Sequence, residues 1–312
     1  MAHRRIGHER LGFAASRATG SSLDELAGLI EWEPIAALLK PIHASAKGEA
    51  AWPPLAMFRA LLLSVWYDLS DVKLAEALDD RASFRRFCGF SGTEPVPERT
   101  AFVRFRKALV AAGLDRALFE AVTRQLKAKA VRVKTGTIVD ATIIASASED
   151  DDDARWVKHK GRPAVHGFKA HVGADADTAL VEEVAVTPAN INDGRAGPAA
   201  LPDTPGEVFA DSAYRGAHFR EAVRLKGGTP RIVATGMWGS DEQQTLARLA
   251  AFNESIHRVR GRIEKIFGTW KRSYGLRRMR WIGIAKAAAQ VYLTAIAYNL
   301  KRTRTITAVS AA

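Results

Sequence analysis

The chain has 312 residues, of which 47% are apolar and 26% charged, a balance that excludes a disordered chain and allows a sizeable core with more than one domain. Lys and Arg number 46 against 34 Asp and Glu, so the formal net charge is +12 and a polyanionic partner is favoured. A single cysteine, Cys88, excludes a disulfide framework or a cysteine zinc site within one chain and points to a reducing compartment.

Residues 1–20 read as a flexible, basic N-terminus without the apolar segment of a secretory signal. Ser22-Leu-Asp-Glu25 resembles a capping box that opens a helix toward Ile30. Trp52-Pro-Pro54 starts a strongly apolar helix over Leu55–Asp68. Ser70 is placed to cap a helix over Asp71–Leu78, and a short helix around Ser83–Cys88 makes Cys88 a small core residue. A further helix runs from Glu98 to near Gly113, and another from Asp115 to Ala130. On the former, Phe102, Phe105 and Leu109 form an apolar stripe, while Thr100, Arg104 and Lys107 point away. Residues 21–132 are therefore all-α. Short helices ending in a basic one fit a helix-turn-helix-like reader of DNA; a plain helical bundle with a soluble face fits the same pattern.

From about Thr135 the pattern turns to strands. Thr137–Ile144 is rich in β-branched residues and holds Asp140 in its interior. Glu149–Asp153 is an acidic run, read as a solvated loop because adjacent carboxylates repel one another. A basic stretch, Arg155–Lys160, follows, and then strands over His166–Gly173 and Leu180–Val186. Val208–Asp211 is a fourth strand that ends in an acid, with a helix after it, and Arg231–Ala234 a fifth. Three strands in meander, then strand-helix-strand, then a long helix, is the element order of an α/β ribonuclease H-like mixed sheet. Gly283–Leu300 is largely apolar but contains Lys286, Gln290 and Asn299, so it reads as a core helix and not a membrane span.

The long helix, Phe252–Arg272, sorts its chemistry by face at roughly 100° per residue. Phe252, Ile256, Val259, Ile263, Ile266 and Trp270 form a buried stripe. Beside it lie His257, Arg260, Glu264 and Lys271, together with Gly261 and Gly268, which leave room for an approaching ligand. Each glycine costs the helix about 1 kcal/mol relative to alanine, so structure alone gives little reason for them. Between Glu254 and Arg280, nine Lys and Arg stand against two Glu, which concentrates positive charge around Glu264. An aspartate inside an apolar strand is costly unless its charge is compensated. Asp140, Asp211 and Glu264 together offer hard oxygen ligands that suit a pair of divalent ions. Two ions about 3.5–4 Å apart clamp both the attacking and leaving oxygens of a phosphodiester.

Five stretches then carry a family resemblance: Ile138-Val-Asp-Ala-Thr-Ile143, His166-Gly-Phe-Lys-Ala-His171, Val186-Thr-Pro-Ala-Asn-Ile-Asn-Asp193, Val208-Phe-Ala-Asp-Ser-Ala-Tyr-Arg-Gly216 and Arg260-Gly-Arg-Ile-Glu-Lys-Ile-Phe-Gly-Thr-Trp-Lys271. In order and spacing the chain resembles DDE transposases of bacterial insertion sequences, in the insertion sequence 5 group and its insertion sequence 4 relatives. The resemblance implies a helical DNA-binding domain over 21–132, a ribonuclease H-like catalytic domain over 133–304, and a C-terminal tail over 305–312. It implies that Asp140, Asp211 and Glu264 are the catalytic, metal-binding triad, with two Mg²⁺ ions for which Mn²⁺ substitutes. Arg260 and Lys271 match the family's phosphate-holding positions. His257 stands where the family often has tyrosine, and reads either as a phosphate donor or as a surface histidine.

The implied reaction is attack by water at each transposon end, then attack by the exposed 3′ hydroxyl on target DNA. The implied partners are double-stranded DNA, both inverted-repeat ends and target, and a second copy of the chain on that DNA. No membrane is involved, and the implied location is bacterial cytoplasm, on the nucleoid when bound. Arg104, Lys107 and Arg215 are further candidate DNA contacts. Lys169 and His171 lie on one side of their strand and either touch DNA or form a plain exposed face. Asp193 reads as a helix N-cap in preference to a group supporting the ligands from behind. Trp238 reads as a packed side chain, with stacking on an unpaired base as the alternative. A ribonuclease H-like nuclease without strand transfer, and a DNA-binding protein that has lost catalysis, are the competing functions.

Overall fold

The computed structural model describes residues 4, 6–7, 21–42, 50–130, 134–158, 161 and 163–311; most of the expected flexible N-terminus lies outside them. The chain divides into two compact units. The first comprises Met1–Lys129, Ser273–Gly275 and Tyr292–Ala312, and the second Ala130–Arg272 and Leu276–Val291.

The first unit is helical, with α1 (Ser22–Ala27), α2 (Trp32–Leu38), α3 (Pro54–Trp66), α4 (Asp71–Asp80), α5 (Ala82–Cys88), α6 (Arg99–Ala111) and α7 (Leu114–Ala130). The capping box of α1 sits one residue earlier than the sequence suggests. Ser21 accepts from the Asp24 backbone, and the Asp24 carboxylate accepts from the Ser21 backbone. No sequence signal announces α2, which has no side-chain cap and buries Ile35. Its Trp32 lies under the Arg59 guanidinium at 4.2 Å, so packing supplies what capping does not. The apolar α3 is buried over most of its circumference, and its Trp66 indole donates to the Ala297 carbonyl at 2.8 Å. Ser70 caps α4 as expected. Gly89 ends α5 at φ +90°, a conformation that a residue without Cβ takes at little cost. On α6, Phe102, Phe105 and Leu109 are buried, while Arg104 and Lys107 are exposed. Arg106 departs from that pattern: it is buried and grips Asp71 on α4 with two bonds of 2.7 and 2.6 Å.

The second unit holds β1 (Gly136–Ala145), β2 (Arg155–Val157), β3 (Val165–Asp175), β4 (Val181–Pro188), α8 (Asp193–Ala196), β5 (Glu207–Ala210), α9 (Ala217–Leu225), β6 (Thr229–Ile232), α10 (Glu242–Ser273) and the start of α11 (Ile284–Ala311). Its mixed sheet runs β2-β3-β1-β5-β6, with β4 also paired to β3. β1, β3 and β4 form an antiparallel meander, and β5 and β6 continue it in parallel with β1. This is the ribonuclease H-like order expected from the sequence. The β1–β5 register pairs Val139 with Ala210, so Asp140 and Asp211 follow abreast on neighbouring parallel strands. β2 was not foreseen, because three residues flanked by charge give no alternation to read. It pairs with Val165–Gly167 at the head of β3.

Two further expectations are corrected. α10 begins at Glu242, ten residues before the apolar stripe, because its first turns are mostly exposed and carry no periodic signal. α11 runs to Ala311, so the C-terminal tail expected at 305–312 is helical through residue 311.

The acidic run is not simply solvated. Asp151 is 2% exposed and accepts from Ser146 Oγ at 2.6 Å and the Gly283 backbone at 3.2 Å. Asp153 accepts from the Ile284 backbone at 2.9 Å. These two carboxylates thus satisfy backbone donors at the start of α11, while Glu149, Asp150 and Asp152 face solvent. Asp151→Ala is expected to cost about 1–3 kcal/mol of stability in urea denaturation, because it leaves a buried hydroxyl and a helix-end donor unpaired. An unchanged midpoint would show that water replaces the carboxylate.

Candidate active site

A cleft of about 1030 Å³ opens in the second unit, and Asp140, Asp211 and Glu264 all line it. Asp140 comes from the interior of β1, and its side chain is 14% exposed. Its Oδ1 accepts from the Ala141 backbone at 2.8 Å and its Oδ2 from Arg260 Nη2 at 2.9 Å. Burial pushes the Asp140 carboxyl up to about 6; Arg260 and the Ala141 N–H oppose the rise, and the nearby charges of Asp211 and Glu264 add to it. Asp211 follows β5 and caps the turn Ser212–Tyr214, accepting from the Ala213 backbone at 2.9 Å. Glu264 is exposed on α10.

Arg260, one turn before Glu264, is as enclosed as Asp140, and its Nε is buried without a partner among the described residues. Lys271, Arg272 and Arg277 complete a cationic side of the cleft. The buried stripe of α10 is as expected at Ile256, Ile263, Ile266 and Trp270, with Phe252 and Val259 half-buried. A Cβ on Gly261 would meet nothing within 4 Å, and one on Gly268 only the guanidinium end of Arg272 at 2.9 Å. Packing within the protein therefore requires neither glycine.

His257 is exposed and outside the cleft lining. Arg215 is exposed, its guanidinium 3.3 Å from Thr235 Oγ1.

Three expectations fail. Lys169 and His171 do not form an exposed strand face, since both are buried. His171 shares a 2.9 Å hydrogen bond with Thr187, and burial lowers its ring to about 4, so it is neutral at pH 7. Asp193 is not the N-cap of α8: Asn192 is, accepting from the Arg195 backbone, while Asp193 pairs with Lys169 at 2.8 Å. Both members of that pair line the cleft. Trp238 is fully exposed, not packed, beside a half-exposed Met237.

The donor set suits a divalent cation: besides Asp193, which pairs with Lys169, three carboxylates line the cleft, and one of them is buried with its charge incompletely compensated. Among the described residues no group of three or more His, Cys, Asp and Glu is arranged as a ready ligand set for one ion. Asp140 Oδ2 is instead taken by Arg260.

A family model described as "Transposase DDE domain" matches residues 132–300, more than half of the chain. The chain belongs to the DDE transposase family. A second model, "Transposase domain (DUF772)", matches residues 13–108, within the helical unit. Among solved structures, the piggyBac transposase in a synaptic complex with hairpin DNA is similar in fold, with a TM-score of 0.51 at 11% identity over 91% of this chain and 74% of that one. This transposase is thus of the insertion-sequence type by family and ribonuclease H-like by fold. Among the described residues of the chain, no helix is long and apolar enough to cross a membrane.

Proposed function

We propose that this DDE transposase binds the terminal inverted repeats of an insertion sequence of the insertion sequence 5 group, hydrolyses the phosphodiester at each end, and joins the freed 3′ hydroxyl to target DNA. One observation carries the reading. Asp140 from β1, Asp211 from the end of β5 and Glu264 from α10 line a single cleft whose other charged residues are largely cationic. In this reading the three carboxylates hold two Mg²⁺ ions, with Mn²⁺ as a substitute. The chemistry such a pair supplies when bound is Lewis acidity at the attacking and leaving oxygens.

The chain's own residues do the rest. Arg260 and Lys271 hold the phosphate that flanks the cut, Arg260 through a donor that has no partner among the described residues. Gly261 and Gly268 let the DNA backbone approach α10. His257 and Arg215 are exposed contacts to the same end, and Arg104 and Lys107, exposed on α6, are further contacts to the repeat. The fold neighbour was solved with DNA, which supports a DNA partner. Joining two ends calls for two copies of the chain on DNA, in the bacterial cytoplasm and on the nucleoid.

The test is a cleavage and strand-transfer assay on paired duplex oligonucleotides that carry the element's ends. Wild type is expected to cut and to join, and Glu264→Gln to do neither while binding the ends as before. Cutting without joining by wild type would identify a nuclease. A Glu264→Gln protein as active as wild type would overturn the catalytic reading.

A further inference from the structure

Two stretches beside the carboxylates have no part in the reading above: His166–His171 on β3, and the passage from β4 through Asp193. They meet at Lys169. Its Nζ donates to the Ile191 carbonyl and to Asp193 Oδ1, both at 2.8 Å, and its side chain is 7% exposed. An ammonium has three donors. Two are fixed by the protein, no acceptor for the third is found among the described residues, and Lys169 lines the cleft that holds Asp140, Asp211 and Glu264.

The seat of this lysine is built to the same plan as the carboxylates. Lys169 lies opposite Ile143 in the β1–β3 register, three residues along from Asp140. That odd offset sends the Lys169 and Asp140 side chains to opposite faces of the sheet, and what they share is the cleft that both line. Asp193 is tied to Asp211 through its neighbours. A Cβ on Gly194 would lie 2.9 Å from the Ala213 carbonyl, and one on Gly197 would lie 2.6 Å from the Tyr214 ring. The backbone after Asp193 is therefore pressed against the turn that Asp211 caps. A buried ion pair is weak evidence for stability, because desolvation offsets most of its attraction. Directional fixing of a cation at the edge of a reaction cleft is better explained by an anion that it receives there.

We propose that Lys169 is a catalytic residue, oriented by Asp193 and the Ile191 carbonyl so that its third N–H holds a non-bridging oxygen of the scissile phosphate. This rests on the function proposed above. Charge in phosphoryl transfer spreads over the equatorial oxygens, and a donor fixed in advance needs no reorganisation as that charge develops. Lys169 thereby differs from a groove lysine, which would add affinity without selecting the reacting phosphate.

The test uses single-turnover cleavage of duplex DNA carrying the element's end, with oxygen or with one Rp or Sp sulfur at the scissile phosphate. Lys169→Met is expected to slow cleavage of the oxygen substrate by ~10²–10³-fold, the usual loss for one such donor. DNA affinity should stay within about threefold, because binding is spread over many phosphates. Sulfur at one of the two positions should slow wild type, and that stereospecific penalty should shrink in Lys169→Met. If the lone substitution fails to fold, Lys169→Met combined with Asp193→Asn removes both charges, and the same slow cleavage is expected. Affinity falling in step with cleavage, a sulfur penalty that persists unchanged, or a double variant that cuts at the wild-type rate would each overturn the proposal. Asp140→Asn serves as the separate control. If it cuts like wild type, the underlying reading has failed and not the role of Lys169.

Discussion

Asp140→Asn is expected to abolish strand cleavage and, in the same protein, to raise stability above pH 6. The unfolded chain holds this carboxyl at its ordinary value of 3.8, and folding lifts it to about 6. Folding therefore takes up a proton between those values. The protonated side chain's advantage is complete below pH 4 and is lost as pH rises through 6, where the folded protein must carry a buried charge. Asparagine resembles the protonated form at every pH. The attraction of Arg260 is already contained in the net shift, so about two pKa units correspond to a gain of up to about 3 kcal/mol at pH 8. Urea denaturation of both proteins in EDTA, from pH 4 to pH 8, should show curves that coincide at the acid end and diverge upward. Equal stabilities at pH 8 would mean that the carboxylate is fully compensated. Cleavage should fall by at least about 1,000-fold, since in the function proposed above the three carboxylates act as one unit. Greater stability with less activity is the pattern of a group placed for chemistry at the expense of the fold.

Arg260→Ala should produce the second large effect. Its guanidinium both bonds Asp140 and carries the buried Nε without a partner. Without it the Asp140 carboxyl loses the largest influence opposing its rise, and should move above 6. Cleavage at pH 7 is expected to fall by ~10²-fold or more and to recover in part at higher pH, where Asp140 ionises again. The slope of log affinity against log salt should become shallower by about 0.9, the share of one phosphate. Lysine at this position should restore the charge but not the two-pronged contact, and so rescue the salt slope better than the rate. A pH–rate profile that does not move, with an unchanged salt slope, would leave Arg260 as a structural partner of Asp140 alone.

Much of this site was legible in the sequence, because its elements announce themselves locally. An acid within a β-branched run, an acid at the end of a short apolar run and an acid on a helix beside two glycines are each visible without coordinates. The strand order followed from the same local signals. What escaped depends on distant meetings. Lys169 and Asp193 are 24 residues apart, and only the β3–β4 pairing and the loop after it bring them together. Alternation along β3 marked Lys169 as facing outward, but the layer that covers it is not encoded in β3. Asp151 was hidden for the same reason: a carboxylate in an acidic run looks solvated until Gly283 and Ser146 reach it. β2 and the first turns of α10 lack apolar periodicity altogether, so nothing in them distinguishes a paired or helical segment from a loop.

Because Val139 faces Ala210 in a parallel ladder, the spacing of Asp140 and Asp211 is a matter of strand alignment and not of loop length. Inserting one residue between Gly136 and Asp140 would turn Asp140 to the opposite side of the sheet, whatever the rest of the chain retained. Length differences among descendants of this sequence should therefore gather in connections such as residues 233–241, and be absent from the two short runs that end in aspartate.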